Sequence, residues 1–139
     1  MKTVKMSCSH ALIKYLTMQK ILINGKKEPL FPGAFGIYGH GNVACIGQAM
    51  EEYQNELPGY RGHHEQNMAL TGIAYARAKR RKQIFVATSS VGPGATNMVT
   101  AAAVTILVEP GPTDEVATNI CCLLLARAYA IPVSAIFCS

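Results

Sequence analysis

Residues 83–103 read "QIFVATSSVGPGATNMVTAAA". The β-branched and aromatic run Gln83 to Thr88 has the length and composition of a buried strand. Ser89 to Gly94 is a turn rich in glycine, serine and proline, and Ala95 to Val108 continues as a small-residue helix. Strand, glycine turn and helix follow one another within about one supersecondary unit. The same order stands upstream: Ala34 to Tyr38 as a strand, Gly39-His40-Gly41-Asn42 as a tight turn, and Val43 to Tyr53 as a helix with apolar positions Val43, Ile46, Ala49 and Met50. Between the two units, Glu65 to Lys79 is helix-like. This alternation predicts an α/β domain, a parallel sheet flanked by helices on both faces.

Outward from that core, Ser7 to Gln19 places Ala11, Leu12, Tyr15 and Leu16 at helical spacing behind two candidate caps, Ser7 and Ser9. Ile21 to Lys27 reads as an extended piece with an Asn24-Gly25 turn. Beyond the helix, Glu109-Pro110-Gly111-Pro112-Thr113-Asp114 breaks the pattern, and Cys121 to Leu125 and Ile131 to Phe137 are candidate strands. Residues 1–108 therefore form the expected core, and 109–139 a divergent, irregular tail that could complete the sheet.

Bulk properties narrow the class. A chain of 139 residues, half of them hydrophobic, has the size of one domain and enough apolar side chains for a core. Its five cysteines are an odd set without Cys-x-x-Cys spacing, which argues against a disulfide framework or a zinc cluster and fits a reduced cytoplasm. The first ten residues lack the apolar core of a signal peptide. Arg127 and Pro132 interrupt the one membrane-like stretch, so no membrane partner is expected. The net charge of +5 owes much to the run Arg77 to Lys82. Without aromatic platforms or a recognised binding motif, that run reads as the cationic close of a helix, not as a nucleic-acid surface.

Ligands of open parallel sheets collect at the carboxyl ends of the strands. Two turns there are candidates. Gly39-x-Gly41-x-x-Ala44 matches the dinucleotide fingerprint, with Glu65 near the ribose-binding spacing, but Glu65 precedes a helix where that carboxylate belongs at the end of a strand. The turn Ser89-Ser90-Val91-Gly92-Pro93-Gly94 is more distinctive, its backbone constrained and its side chains able to hydrogen-bond. A third stretch, "GHHEQNMA" at 62–69, sets two imidazoles beside a carboxylate. Adjacent His63 and His64 point apart on an extended chain and have no third ligand at helical spacing, so a metal centre is disfavoured. Glu65 fits the first turn of a helix, where an anion meets the positive dipole end.

Taken together, His64-Glu65-Gln66, then Ala74-Tyr75-Ala76-Arg77-Ala78, then Thr88 to Asn97 closely resemble the pyrimidine-binding domain of thiamine diphosphate enzymes of the acetolactate synthase group. Within it, "FGIYGHGNVACIGQAMEE" (35–52), "YRGHHEQNMA" (60–69) and residues 83–103 look most like an inositol-catabolic branch that hydrolyses a carbon–carbon bond. The resemblance covers roughly residues 7 to 105 and implies thiamine diphosphate as cofactor. It makes Glu65 the catalytic residue, hydrogen-bonded to the aminopyrimidine so that its imino form takes a proton from thiazolium C2. It places Gly39, Gly41, Asn42, Ser89, Ser90, Gly92, Pro93, Gly94 and Asn97 on the pyrimidine side, and turns Gln66 toward substrate. The implied reaction opens the ring of a cyclic 1,2-diketone. An apolar setting would favour Glu65 sharing its proton.

The family's diphosphate half-site holds Mg2+ through a Gly-Asp-Gly motif. This chain has no Gly-Asp pair, and Asp114 is its only aspartate. The diphosphate-binding domain is therefore expected on another chain, or the chain assembles with copies of itself. Read this way, the chain is a shortened pyrimidine-binding part, inactive alone. The other readings are a non-catalytic fragment or interaction module, or part of another thiamine diphosphate enzyme such as an acetolactate synthase.

Overall fold

The computed structural model describes residues 4–108; the tail from 109 onward, with its two candidate strands, lies outside the described residues. The elements run α1 (Cys8–Met18), β1 (Lys20–Ile23), β2 (Lys26–Pro29), β3 (Ala34–Gly36), α2 (His40–Asn42), a π-helical stretch (Val43–Gly47), α3 (Gln48–Glu52), β4 (Gly59–Arg61), α4 (Glu65–Ala78), β5 (Val86–Thr88) and α5 (Pro93–Val108). Ser7, not Ser9, caps α1: its hydroxyl accepts from the His10 N–H at 3.2 Å. Asn24 (φ 50°) and Gly25 (φ 79°) form the tight turn of the β1–β2 hairpin, both in the left-handed region that such a turn requires.

The parallel sheet has the order β4-β3-β5, with Phe35 opposite Tyr60 on one side and Ala87 on the other. Successive side chains of a strand point to opposite faces, and the packing follows that rule. Ala34 and Val86 join Ile13 and Leu16 of α1 with Ile46, Ala49, Met50 and Leu57. On the other face, Phe35 and Ala87 join Met68 and Ala69 of α4 with Met98 and Ala101 of α5. Helices thus cover both faces, as the alternation of elements predicts.

β4 has no counterpart in the sequence reading. It is three residues long and exposed throughout, so it offers no apolar alternation to detect. The glycines at its ends admit methionines from opposite faces: a Cβ at Gly59 would stand 3.1 Å from Met50 Cε, and one at Gly62 would overlap Met68 Sδ. Tyr60 lies with Phe35, Phe85 and Tyr75 on the α4 side, with neighbouring ring centroids 4.7–5.9 Å apart.

Several boundaries differ from the sequence reading, that of β3 among them, which ends at Gly36 and not at Tyr38. The second helix begins at His40, inside the expected glycine turn, and passes through the π-helical stretch, whose wider turn leaves no separate signal in apolar spacing. Only Val86–Thr88 of the expected strand is paired. Pro93 and Gly94, read as turn residues, are the first two residues of α5; proline suits that position because its missing N–H would have no helical partner.

The basic run closes α4. The Arg81 N–H reaches the Ala76 carbonyl at 2.7 Å and the Arg80 N–H reaches that of Arg77 at 2.9 Å, the paired bonds of a Schellman ending. Arg80 (φ 50°) and Arg81 (φ 59°) adopt left-handed conformations without being glycine. Arg80→Gly is expected to raise stability by roughly 0.5–1 kcal/mol, the relief of left-handed strain exceeding the entropy that glycine adds to the unfolded chain. A higher urea midpoint with an unchanged slope would record that gain.

Candidate functional site

The carboxyl ends of the three parallel strands lead into the three stretches of interest: β3 into Gly39, β4 into Gly62 and α4, and β5 into the Ser89–Gly92 turn. Backbone bonds tie these exits together, from Gly62 N–H to Gly36 O at 3.1 Å and from Ile37 N–H to Thr88 O at 3.1 Å. The first and third turns touch as well. A Cβ on Gly39 would lie 3.3 Å from Val91 N and 3.4 Å from Ser90 Cα, so glycine lets the two backbones close on each other.

Glu65, the first residue of α4, is the one buried charged residue among those described, with 7% of its surface exposed. Ser90 Oγ donates to Glu65 Oε1 at 2.6 Å. The Asn97 side chain and the backbone N–H groups of Glu65 and Ser90 lie close enough to favour the charged carboxylate as well. Gly94 makes the room, because a Cβ there would overlap both Glu65 Oε1 and Ser90 Oγ. His64, the N-cap of α4, contributes no side-chain cap bond. The first-turn carboxylate itself meets the free N–H groups and positive dipole end.

Burial is the largest single influence on the Glu65 carboxyl and raises its pKa, but the hydrogen bonds from Ser90, from the two backbone N–H groups and from Asn97 together outweigh it. The net shift is downward from 4.5. The setting is thus polar and donor-rich, not the apolar one that would make Glu65 share its proton, and the free chain holds this carboxylate ionised.

The structure brings Glu65, Ser90, Gly94 and Asn97 together and packs Gly39 against Ser90. Other sequence candidates stand further out. Gly41 and Gly92 are exposed, with no atom within 4 Å of where a Cβ would stand, and Gly92 has a φ of 65° that favours glycine. Asn42, Gln66 and Ser89 are half-buried, with no side-chain hydrogen bond to Glu65, and Pro93 is exposed at the start of α5. His63 and His64 are exposed, and among the described residues no three histidine, cysteine or acidic side chains cluster as metal ligands. No helix of the described residues is long and apolar enough to cross a membrane. The sequence reading missed how Gly94 accommodates the carboxylate, because Glu65 and Ser90 stand 25 positions apart and carry no local signal of their contact.

An α/β domain that gathers glycine turns and one buried carboxylate at the carboxyl ends of parallel strands is a ligand-binding domain of the open-sheet class. Residues 29–105 match the family "Thiamine pyrophosphate enzyme, N-terminal TPP binding domain", and the chain belongs to that family. It is 49% identical over 119 residues to the 3D-(3,5/4)-trihydroxycyclohexane-1,2-dione hydrolase of Clostridium tetani, covering 81% of this chain and 18% of that protein. Against the enzyme of the same name from Geobacillus thermodenitrificans, identity is 48% over 117 residues, 80% of this chain and again 18% of the relative. The chain thus spans under a fifth of the length of these relatives.

A carboxyl whose folded pKa lies below its unfolded value stabilises the fold above the unfolded pKa and ceases to do so as pH falls through the folded one. Stability is therefore expected to decline on acidification below about pH 4.5, and Glu65→Gln should remove that component. Urea titrations of both proteins between pH 3 and 7 measure it. Gly94→Ala should separate Ser90 from Glu65 and cost about 1–3 kcal/mol, the scale of a disrupted buried polar contact, in the same assay at pH 7.

Proposed function

We propose that this chain is the pyrimidine-binding part of a thiamine diphosphate-dependent hydrolase that cleaves a carbon–carbon bond in a cyclic 1,2-diketone of inositol catabolism. The observation that carries this reading is Glu65: a buried carboxylate at the start of α4, held by Ser90 and Asn97 and given room by Gly94. The names of the relatives and their near 50% identity support the substrate class.

The residues present fit the aminopyrimidine end of the cofactor. A carboxylate can accept a hydrogen bond from a ring nitrogen that carries a proton, or donate once it is itself protonated. Gly39 packs against Ser90, whose turn reaches that carboxylate. When bound, thiamine diphosphate supplies an electron sink for cleavage next to a carbonyl, chemistry that protein side chains lack. The contribution of this chain is to orient the ring through Glu65 and to hold or release a proton at the Glu65 carboxyl. Gln66, next in sequence and half-buried, is the residue assigned to the substrate side.

The diphosphate and its Mg2+ require oxygen ligands that these 139 residues do not offer in the Gly-Asp-Gly pattern, so a diphosphate-binding domain outside them completes the site. The proposed setting is cytoplasmic. The chain alone is expected to show no hydrolase activity and weak or no cofactor binding. Calorimetric titration with thiamine diphosphate and Mg2+ tests this, and tight Mg2+-dependent binding without a partner would overturn it. In a reconstituted complex, Glu65→Gln should slow C2 proton exchange of the cofactor, followed by NMR, by orders of magnitude. Unchanged exchange would remove Glu65 from the role given to it.

A further inference from the structure

The sequence reading set Ser90 among the residues touching the cofactor, but its hydroxyl lies 2.6 Å from Glu65 Oε1, directed at the carboxylate itself. We infer that Ser90 is a positioning residue for Glu65, the hydroxyl that holds this carboxyl in one place whether or not it carries a proton. The inference rests on the functional reading only in that Glu65 must change protonation state; the contact itself stands independently of it.

A backbone N–H can only donate, so it satisfies the ionised carboxylate and loses its acceptor at an oxygen that takes a proton, and the Asn97 amide would have to turn end for end to present its oxygen in place of its N–H. A serine hydroxyl can donate or accept and rotates about its C–O bond to suit. Ser90 is the side-chain hydroxyl bonded to Glu65, and it can receive the carboxyl proton in a reversed hydrogen bond. Without such a partner, a carboxyl 7% exposed would have to swing, break donor contacts or await a turn of the Asn97 amide each time it was protonated.

Two features hold the hydroxyl in place. Ser90 and Val91 are pressed against Gly39, which fixes the loop from behind, and Gly94 leaves the gap through which hydroxyl and carboxylate meet. The charged and titratable groups near Glu65 in sequence, His63 and His64, are exposed and make no hydrogen bond to it. The local influences on its proton are therefore burial and the hydrogen-bonding groups just named.

The test is the titration of Glu65 in the full chain, followed through its side-chain carboxyl carbon by NMR after 13C labelling of glutamate, with Glu65→Gln used to assign the signal. Ser90→Ala should shift the midpoint upward, because the carboxylate loses a charge-assisted donor. Ser90→Thr, which keeps a hydroxyl, should restore it toward the parent value. Amide spectra of each variant report whether the fold is kept, and Ser90→Cys, a close isostere with a weaker donor, gives a second reading if the alanine variant fails to fold: its midpoint should also lie above the parent's. An unmoved midpoint in a folded Ser90→Ala or Ser90→Cys chain would overturn the inference. A moved midpoint together with unchanged cofactor exchange in Glu65→Gln would uphold the Ser90 contact while removing the cofactor reading.

Discussion

A carboxylate withdrawn from water at the end of a sheet needs donors, and it needs space for those donors to reach it. Glu65 has both because residue 94 has no side chain. The contact between Ser90 Oγ and Glu65 Oε1 occupies the volume that any Cβ at position 94 would take. It joins the start of α4 to the exit of β5, two points that chain connectivity leaves unlinked. The packing of Gly39 against Ser90 then draws in the exit of β3, so the rim of the site is a closed set of short contacts around one charge.

Below the rim, the sheet supplies the platform. Its strands are only three residues long, too short to stand alone, and derive their order from the helices pressed on each face. The two core clusters divide strand residues strictly by parity, Ala34 and Val86 to one side and Phe35 and Ala87 to the other. A one-residue slip in β3 or β5 would exchange these sets and move the turn carrying Ser90 away from Glu65. Register and site geometry are therefore one constraint.

Much of this was legible in the residues. Hydrophobic runs separated by glycine turns specified the α/β alternation, Asn24-Gly25 marked a turn in an extended piece, and Ser7 and Ser9 both offered themselves as the first cap. β4 stayed hidden because its three exposed residues have no apolar period and gain their place only by pairing with β3. The π-helical stretch was hidden too, since a wider turn over Val43–Gly47 barely disturbs the spacing of Val43 and Ile46. At the site, local chemistry gave Glu65 only a place in a first helical turn, and the family resemblance gave it a role. Neither placed Ser90 and Asn97 on the carboxylate, because a contact between distant segments exists only once the chain is folded.

The methionines flanking β4 set the mechanical character of the platform. Met50 presses on Gly59 from one face and Met68 on Gly62 from the other, and Met98 lies fully buried beside Met68. Unbranched thioether chains have several rotatable bonds and yield where branched aliphatic side chains would resist. The strand that delivers the chain to Glu65 is thus cushioned above and below by compliant sulfur-containing side chains. Oxidation of Met50 or Met68 to the sulfoxide would make that cushion polar and disrupt its packing, so that redox damage to the core would disturb the carboxylate without touching it.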